Sequence, residues 1–222
     1  YPKQRRERVL LIGGGRGGGV VTLDALSLSR TQRAVGILDN DPALHGKTML
    51  GVPIFGPSSM AGKLWADKAF DAAIVVVTAN IEERAALFEA LKKEGIRFTN
   101  VIDPSVKIKL NVSIGVGNLI MGSSYLSSCV KIGDNNFFAS HTCIEHHSTV
   151  GDHCTFGPRC TTSGAVTIGD RVKMGMGVLI EPYLSIGDQS LIPSGAVVTQ
   201  NIPKNSVLKT QQVHSIHPRK GS

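Results

Sequence analysis

Aromatic residues are scarce in this 222-residue chain, which contains one Trp, three Tyr and seven Phe. Proteins that bind single-stranded nucleic acid stack bases on aromatic side chains, and this chain offers few. Basic residues cluster in only two short segments, Lys3 to Arg8 and Arg219-Lys220. The formal net charge of +7 therefore favours small phosphate-bearing partners over nucleic acid.

Long apolar runs are also missing, since no stretch approaches the ~18 residues of a membrane helix. The basic start, Tyr1 to Arg6, has no apolar segment behind it of the kind that a secretion signal needs. The four cysteines form no CxxC pair, and a chain of this size does not need disulfides for stability. We therefore expect a cytoplasmic protein with reduced thiols and no membrane segment.

The strongest signal is an apolar residue at every sixth position through the C-terminal half. Fifteen of sixteen positions in one frame are apolar against a background of 41%, which fewer than roughly one random frame in a thousand would match. A period of six fits neither a helix nor a flat strand, but it fits a coil with three short strands per turn. The frame comprises Ile108, Ile114, Ile120, Leu126, Ile132, Phe138, Ile144, Val150, Phe156, Thr162, Ile168, Met174, Ile180, Ile186, Ile192 and Val198.

Two further sets of residues repeat every eighteen positions, which is one full turn of such a coil. A glycine and an aspartate follow the inward position at one corner, and we expect the aspartates to support the turns by hydrogen bonding. Cys154 and Cys160 fall on inward positions and are predicted to be core residues. The two sets are Gly115, Gly133, Gly151, Gly169 and Gly187, and Asp134, Asp152, Asp170 and Asp188.

The first hundred residues have a different pattern, in which apolar strand-like runs alternate with helical periodicity. This order predicts a small parallel α/β sheet that begins with a βαβ unit. The predicted strands are Val9–Ile12, Ala34–Leu38 and Ala73–Val77, and the predicted helices are Val20–Leu28 and Ile81–Glu94.

A glycine-rich loop, Gly13 to Gly19, joins the first strand to the first helix. Its Gly13-x-Gly15-x-x-Gly18 spacing satisfies the dinucleotide fingerprint, and Asp39 stands where a ribose hydroxyl acceptor would be. Six glycines in seven residues satisfy many patterns, so a nicotinamide site and a turn without a ligand are both alternatives. The interpretation we favour is that a nucleotide or phosphate binds at the helix N-terminus.

The joining of a βαβ domain to a hexapeptide coil at Asp103-Pro104-Ser105 resembles the NeuD/PglD family of bacterial sugar acyltransferases. The resemblance implies an α/β Rossmann-like domain followed by a left-handed parallel β-helix, forming a homotrimer with active sites between subunits. It also implies acetyl-CoA as donor and a nucleotide-linked amino sugar as acceptor. Residues 1–102 would form the nucleotide-sugar domain, 103–205 the transferase domain and 206–222 a C-terminal tail. The matching segments are the glycine loop, Leu38-Asp39-Asn40-Asp41, Gly51-Val52-Pro53-Ile54-Phe55-Gly56, Ile144-Glu145-His146 and Val150-Gly151-Asp152.

The same resemblance assigns roles to individual residues. His146 would be the general base beside Glu145, and Gly164 and Thr155 would lie at the donor. The family usually has a histidine at the positions of Gly17 and Thr155. The residues that would contact the acceptor are Gly13, Gly15, Arg16, Gly17, Asp39 and Asn40.

Four histidines crowd one segment of the coil, which suggests a zinc-dependent β-helical hydratase as an alternative. Three of them, His141, His147 and His153, are six residues apart and should therefore lie on successive corners, so we expect no metal site. For His146, the structural alternative is a solvated corner histidine. Two other functions stay open: O-acetylation of a sialic acid-type sugar, and nucleotide sensing without catalysis.

Overall fold

The structure is a computed structural model that describes residues 5–15 and 17–210. Its N-terminal domain contains one five-stranded sheet with the strand order β3-β4-β2-β1-β5. Neighbouring strands are parallel except β3 and β4, which are antiparallel, so the predicted parallel sheet has an antiparallel edge. The elements are β1 (Glu7–Ile12), α1 (Gly17–Leu28), β2 (Gln32–Leu38), β3 (Thr48–Met49), β4 (Val52–Gly56), α2 (Ala61–Ala66), β5 (Ala72–Val75) and α3 (Ile81–Lys93), with short 3-10 helices at Pro42–Leu44 and Ser58–Met60.

The sequence defines the ends of α3 closely. The side chain of Asn80 accepts a hydrogen bond from the backbone N–H of Glu83 at 3.2 Å and caps the helix. Acidic residues lie in the first turn and lysines in the last, where each complements the helix dipole. Gly95 follows the helix with a φ of +79°, as a glycine after a helix C-terminus commonly does.

The C-terminal domain is a coil of two-residue strands in three parallel sheets, which we call the first, second and third faces. The first face contains β6 (Val101–Ile102), β9 (Leu119–Ile120), β12 (Phe137–Phe138), β15 (Thr155–Phe156), β18 (Lys173–Met174) and β21 (Leu191–Ile192). The second contains β7 (Lys107–Ile108), β10 (Tyr125–Leu126), β13 (Cys143–Ile144), β16 (Thr161–Thr162), β19 (Leu179–Ile180) and β22 (Val197–Val198). The third contains β8 (Ser113–Ile114), β11 (Lys131–Ile132), β14 (Thr149–Val150), β17 (Thr167–Ile168) and β20 (Ser185–Ile186).

The core of the coil is the six-residue frame read from the sequence. Every member from Ile120 to Val198 is buried, including Thr162, whereas Ile108 and Ile114, in the first turn of the coil, are partly exposed. Phe138 and Phe156 stack with their ring centroids 4.6 Å apart. Cys154 and Cys160 are also buried, as predicted.

Each corner of the coil from Asn111 to Gly195 contains a residue with positive φ, and these residues repeat every six positions. Left-handed backbone is costly for most side chains but is tolerated best by Gly, Asn, Asp and His. The corner residues with positive φ are Asn111, Gly117, Ser123, Cys129, Asn135, His141, His147, His153, Arg159, Ala165, Arg171, Gly177, Tyr183, Gln189 and Gly195. His141, His147 and His153 are therefore equivalent residues on three successive corners, as the spacing predicted.

The aspartate ladder has the structural role expected for it. Each carboxylate accepts a hydrogen bond from a backbone N–H one coil earlier, at 2.6 to 2.9 Å. The Lys92 ammonium group also pairs with Asp134 at 2.8 Å. These bonds compensate for stacking like charges at one corner.

A buried arginine on α3 joins the two domains. The Arg84 guanidinium is 1% exposed and donates to the carbonyl oxygens of Asn135, His153 and Cys154 at 2.8 to 3.2 Å. It also donates to the Thr155 hydroxyl at 2.9 Å, and burial lowers its pKa to about 10. Because these acceptors lie along the first face and its preceding corner, the N-terminal domain covers that side of the coil.

This architecture confirms the predicted fold class, an α/β Rossmann-like domain followed by a left-handed parallel β-helix. Among residues 5–15 and 17–210, no helix has both the length and the apolar character needed to cross a membrane. All four cysteines are free thiols. Bridges from Ile202 to Ile186 and from Val207 to Leu191 extend the coil beyond β22, and residues 211–222 of the predicted tail lie outside the described residues.

Candidate active site

A cavity of about 570 Å³ lies at the carboxyl ends of β1, β2 and β5. Its lining includes Gly13, Asp39 and Val76, which directly follow these three strands, and Gly17 and Gly18 at the start of α1. In open α/β sheets, ligands bind outside the carboxyl ends of the strands, and helix N-termini favour anions. The cavity therefore has the position and the backbone donors of a nucleotide or phosphate site.

Asp39 holds the glycine loop in place. Its Oδ2 accepts the Gly15 N–H at 2.6 Å, and its Oδ1 accepts the Asp41 N–H at 2.9 Å. The neighbouring Asn40 accepts hydrogen bonds from the N–H and hydroxyl of Ser58, both at 2.9 Å. Asp39 and Asn40 thus lie at the cavity as expected, and Asp39 also shapes its wall.

The glycines of the loop differ in how much space surrounds them. A Cβ atom on Gly15 would overlap Leu44 and would lie 2.6 Å from Asp39 Oδ2. Gly13 has a φ of +78° at the turn out of β1. By contrast, a Cβ on Gly17 would meet nothing within 4 Å, so this position opens onto the cavity. Arg16, the other predicted contact in the loop, lies outside the described residues.

His146 lies at the corner between the second and third faces, where it is exposed. Its imidazole ring lies against Gly164, one coil further along. A Cβ atom on Gly164 would lie 2.5 Å from Cε1 and 2.7 Å from Nε2 of His146, closer than real Cβ contacts. The ring can occupy this place only because residue 164 has no side chain.

His147 contacts His146 in a way that the sequence did not indicate. The two Nδ1 atoms lie 3.1 Å apart, and the rings are nearly perpendicular at 83°. The backbone of His147 is left-handed with a φ of +59°, and its N–H donates to the Ser128 carbonyl at 3.1 Å. The repeat predicted only that His147 is a corner residue, because spacing does not report where a ring points.

The Glu145 carboxylate contacts the Cys143 thiol and the backbone of His146. Its Oε1 lies 3.6 Å from Cys143 Sγ, and its Oε2 accepts the backbone N–H of His146 at 3.4 Å. Within the described residues, no hydrogen bond joins this carboxylate to the His146 ring. Burial, followed by the charge of Glu145, raises the pKa of Cys143 to about 11, so the thiol is protonated at neutral pH.

Thr155 lies on the first face, where it is buried against the N-terminal domain and its hydroxyl accepts the Arg84 hydrogen bond. The structure therefore does not bring Thr155 together with His146 and Gly164, which lie at the corner between the other two faces.

Within one chain, His146 is also separated from the cavity at the carboxyl ends of β1, β2 and β5. The cavity belongs to the domain that covers the first face, and the corner between the second and third faces is on the opposite side of the triangular coil. The two halves of the predicted site can therefore meet only if a second copy of the chain brings its cavity to His146.

The histidine-rich segment does not gather into a metal site. Across the described part of the chain, no three His, Cys, Asp or Glu side chains come close enough together to hold a metal ion. The buried His153 lies with Nε2 3.3 Å from Glu89 Oε1 and Nδ1 2.9 Å from Asn135 Nδ2, away from the exposed His141 and His147.

Comparison of sequences gives one family match, to the hexapeptide repeat of succinyl-transferase, over residues 148–182. No curated protein sequence matches the chain. The family match covers two of the coil's turns and agrees with the repeat described above.

Comparison of structures gives matches over both domains. PerB from Caulobacter crescentus, solved with CoA and GDP-perosamine, is 26% identical with a TM-score of 0.82, over 90% of this chain and 92% of PerB. WeeI from Acinetobacter baumannii is 26% identical with a TM-score of 0.74, over 90% and 95%. The acetyltransferase domain of PglB from Neisseria gonorrhoeae, solved with acetyl coenzyme A, is 20% identical with a TM-score of 0.82, over 91% and 96%.

Two further structures of the Caulobacter crescentus perosamine N-acetyltransferase have one histidine replaced, by asparagine or by alanine, and both contain CoA and GDP-perosamine. The resemblance to sugar acetyltransferases of the NeuD/PglD type is therefore confirmed at the level of the complete two-domain fold.

Proposed function

We propose that this protein is an acetyl-CoA-dependent acetyltransferase that N-acetylates a nucleotide-linked amino sugar. The observation that carries the proposal is the His146 imidazole, exposed at a coil corner and seated on a glycine. In this proposal, residues 1–102 bind the acceptor, 103–205 carry out the transfer, and 206–222 form the tail.

The comparisons support this choice of substrates. PerB, at 26% identity over nine tenths of the chain, was solved with CoA and a nucleotide-linked sugar. The cavity at the carboxyl ends of β1, β2 and β5 offers backbone N–H groups at the start of α1 for the phosphates of the acceptor. Asp39 holds that loop, and Asn40 lies beside it.

His146 would act as the general base in a direct transfer. As the acceptor amine attacks the thioester carbonyl, the His146 Nε2 accepts a proton from the amine. His146 then returns this proton to the departing thiolate, so the products are an amide and a free thiol. The chemistry requires no nucleophilic side chain, and the protonated Cys143 fits this requirement.

Gly164 would serve the donor side of the reaction. Because it has no side chain, the acyl group can approach the backbone next to the His146 ring. Thr155 has no part in this proposal, because its hydroxyl is buried and bonded to Arg84.

We further propose that the active enzyme is a cytoplasmic homotrimer. A second copy is needed because His146 and the cavity lie on opposite sides of one chain. The second face is suited to contact with another copy, since Leu179 and Val197 project from it with 46% and 55% exposure. Four free thiols suit a reducing compartment.

The test is a thiol-release assay with acetyl-CoA and a panel of nucleotide-linked amino sugars, with free sialic acid as the O-acetylation candidate. We expect turnover with at least one nucleotide amino sugar, and a drop in kcat of about 10² to 10⁴ for His146→Ala. His141→Ala is the matched control, because it removes an exposed histidine on the preceding corner of the coil. Turnover of sialic acid alone would assign O-acetylation, and full activity of His146→Ala would refute the proposed base.

A further inference from the structure

The contact between His146 Nδ1 and His147 Nδ1, at 3.1 Å, is short enough for a hydrogen bond only if one nitrogen carries a hydrogen and the other a lone pair. Two arrangements satisfy this condition. In one, His146 Nδ1–H donates to His147, and His146 Nε2 has a free lone pair. In the other, His147 donates, and His146 carries its hydrogen on Nε2.

Only the first arrangement leaves the His146 Nε2 able to accept a proton. A neutral imidazole has one hydrogen, so a hydrogen on Nδ1 is what makes Nε2 a base. Enzymes commonly fix this choice with a carboxylate that accepts the Nδ1 hydrogen. Here the nearest candidate, Glu145, is directed to Cys143 and to the backbone N–H of His146.

We propose that His147 is the positioning residue for the base, accepting the Nδ1 hydrogen of His146 and so holding the tautomer with a free Nε2. This inference rests on the proposed function of His146. The left-handed backbone of His147 and its N–H bond to the Ser128 carbonyl hold the main chain from which the accepting ring projects.

The same contact also stabilises the protonated form of His146. When Nε2 takes the proton from the acceptor amine, His146 becomes an imidazolium with hydrogens on both nitrogens. The bond from Nδ1–H to the neutral His147 then becomes charge-assisted and stronger. His147 therefore stabilises the cation that forms during the reaction without itself contacting the substrates.

The test compares His147→Ala with His147→Asn. Alanine removes the acceptor, whereas the Asn Oδ1 provides an acceptor at similar reach and asparagine tolerates the left-handed backbone. We expect His147→Ala to lower kcat by about 10- to 100-fold, less than loss of the base itself, with KM for acetyl-CoA nearly unchanged. His147→Asn should restore kcat to within about threefold of the original. His141→Ala, at the equivalent left-handed corner, should have no effect.

Equal losses of kcat in His147→Ala and His147→Asn would overturn the proposal, as would full activity of His147→Ala or an equal loss in the His141→Ala control. If His146→Ala is also fully active, the proposed base fails first. If only His146→Ala is impaired, the base stands and the positioning role is wrong.

Nitrogen-15 NMR of histidine-labelled protein gives a second measurement that does not depend on activity. Protonated and lone-pair imidazole nitrogens have well-separated shifts, and the His146→Ala spectrum identifies the His146 signals. We expect the Nδ1–H tautomer of His146 to predominate in the unaltered protein and no longer to predominate in His147→Ala. A hydrogen on Nε2 in the unaltered protein would overturn the proposal even if a variant failed to fold.

Discussion

The backbone N–H of Glu145 donates to the hydroxyl of Thr162 at 3.0 Å. At the equivalent places in neighbouring coils, the N–H groups of Lys109, Ser127, Ser163 and Glu181 each donate to a backbone carbonyl. Thr162 is the single polar member of the inward frame. Directly beside His146, its side-chain hydroxyl therefore accepts a hydrogen bond that a backbone carbonyl accepts in the neighbouring coils. This exchange shapes the corner on which the proposed base lies.

Replacing Thr162 tests whether this hydroxyl is needed. Thr162→Val matches the apolar frame but removes the hydroxyl to which the Glu145 N–H donates, and an N–H left unpaired costs about 1–3 kcal/mol when it is buried. We expect a lower free energy of unfolding in urea and a reduced kcat. Thr162→Ser keeps the hydroxyl and should retain kcat, and a more stable, fully active Thr162→Val would contradict the role assigned to the bond.

The Gly164 contact gives a second prediction. In Gly164→Ala the new methyl group must displace the His146 ring, because its Cβ would lie 2.5 Å from Cε1. We expect kcat to fall by about 10² or more, as for other losses of a positioned base, with thermal unfolding little changed.

Gly62→Ala is the control for this substitution, since it adds a methyl group in α2 against only the flexible end of Glu94. It should leave kcat unchanged. If Gly164→Ala has the same activity as Gly62→Ala, the ring does not depend on the glycine.

Much of the fold could be predicted because its signals are local and periodic. The frame from Ile108 to Val198 needed only an apolar residue every six positions, and the aspartate ladder needed only a turn acceptor every eighteen. The βαβ start was also correct, although the short β3 and the antiparallel pairing were missed because two residues give no period.

Contacts between distant segments could not be read in this way. No sequence pattern predicts that Arg84, a charged residue on a helix, is buried against carbonyl oxygens of the coil. The contact between His146 and His147 was not predicted either, because it depends on the left-handed backbone of His147 and on the absence of a side chain at Gly164. The roles of these site residues remain predictions.

The ion pair between Arg8 and Asp71 predicts a pH dependence of stability. Hydrogen bonds from the Arg8 side chain and backbone lower the pKa of Asp71 to about 2, from an ordinary value near 4. A carboxyl whose pKa is lower in the folded state stabilises the fold above the unfolded pKa, and that stabilisation is lost as pH falls from about 4 to about 2.

Asp71→Asn does not titrate, so it isolates this effect. We expect its melting temperature to lie below that of the original protein at pH 5 to 7, and the difference to shrink as pH falls towards 2. A difference that stays constant across this range would show that the charge of Asp71 does not stabilise the fold.

Substitutions in the glycine loop can distinguish acceptor binding in the N-terminal cavity from donor binding at the coil. Gly15→Ala would overlap Leu44 and approach Asp39 Oδ2, so the loop must move from the cavity. Gly17→Ala meets nothing within 4 Å and should leave the loop and the thermal stability unchanged. We therefore expect Gly15→Ala to raise the acceptor KM by about tenfold or more, equivalent to a loss of about 1.4 kcal/mol in binding, with KM for acetyl-CoA unchanged. Equal effects of Gly15→Ala on both KM values would contradict the assignment of the N-terminal cavity to the acceptor alone, because the donor is proposed to bind at the coil beside Gly164.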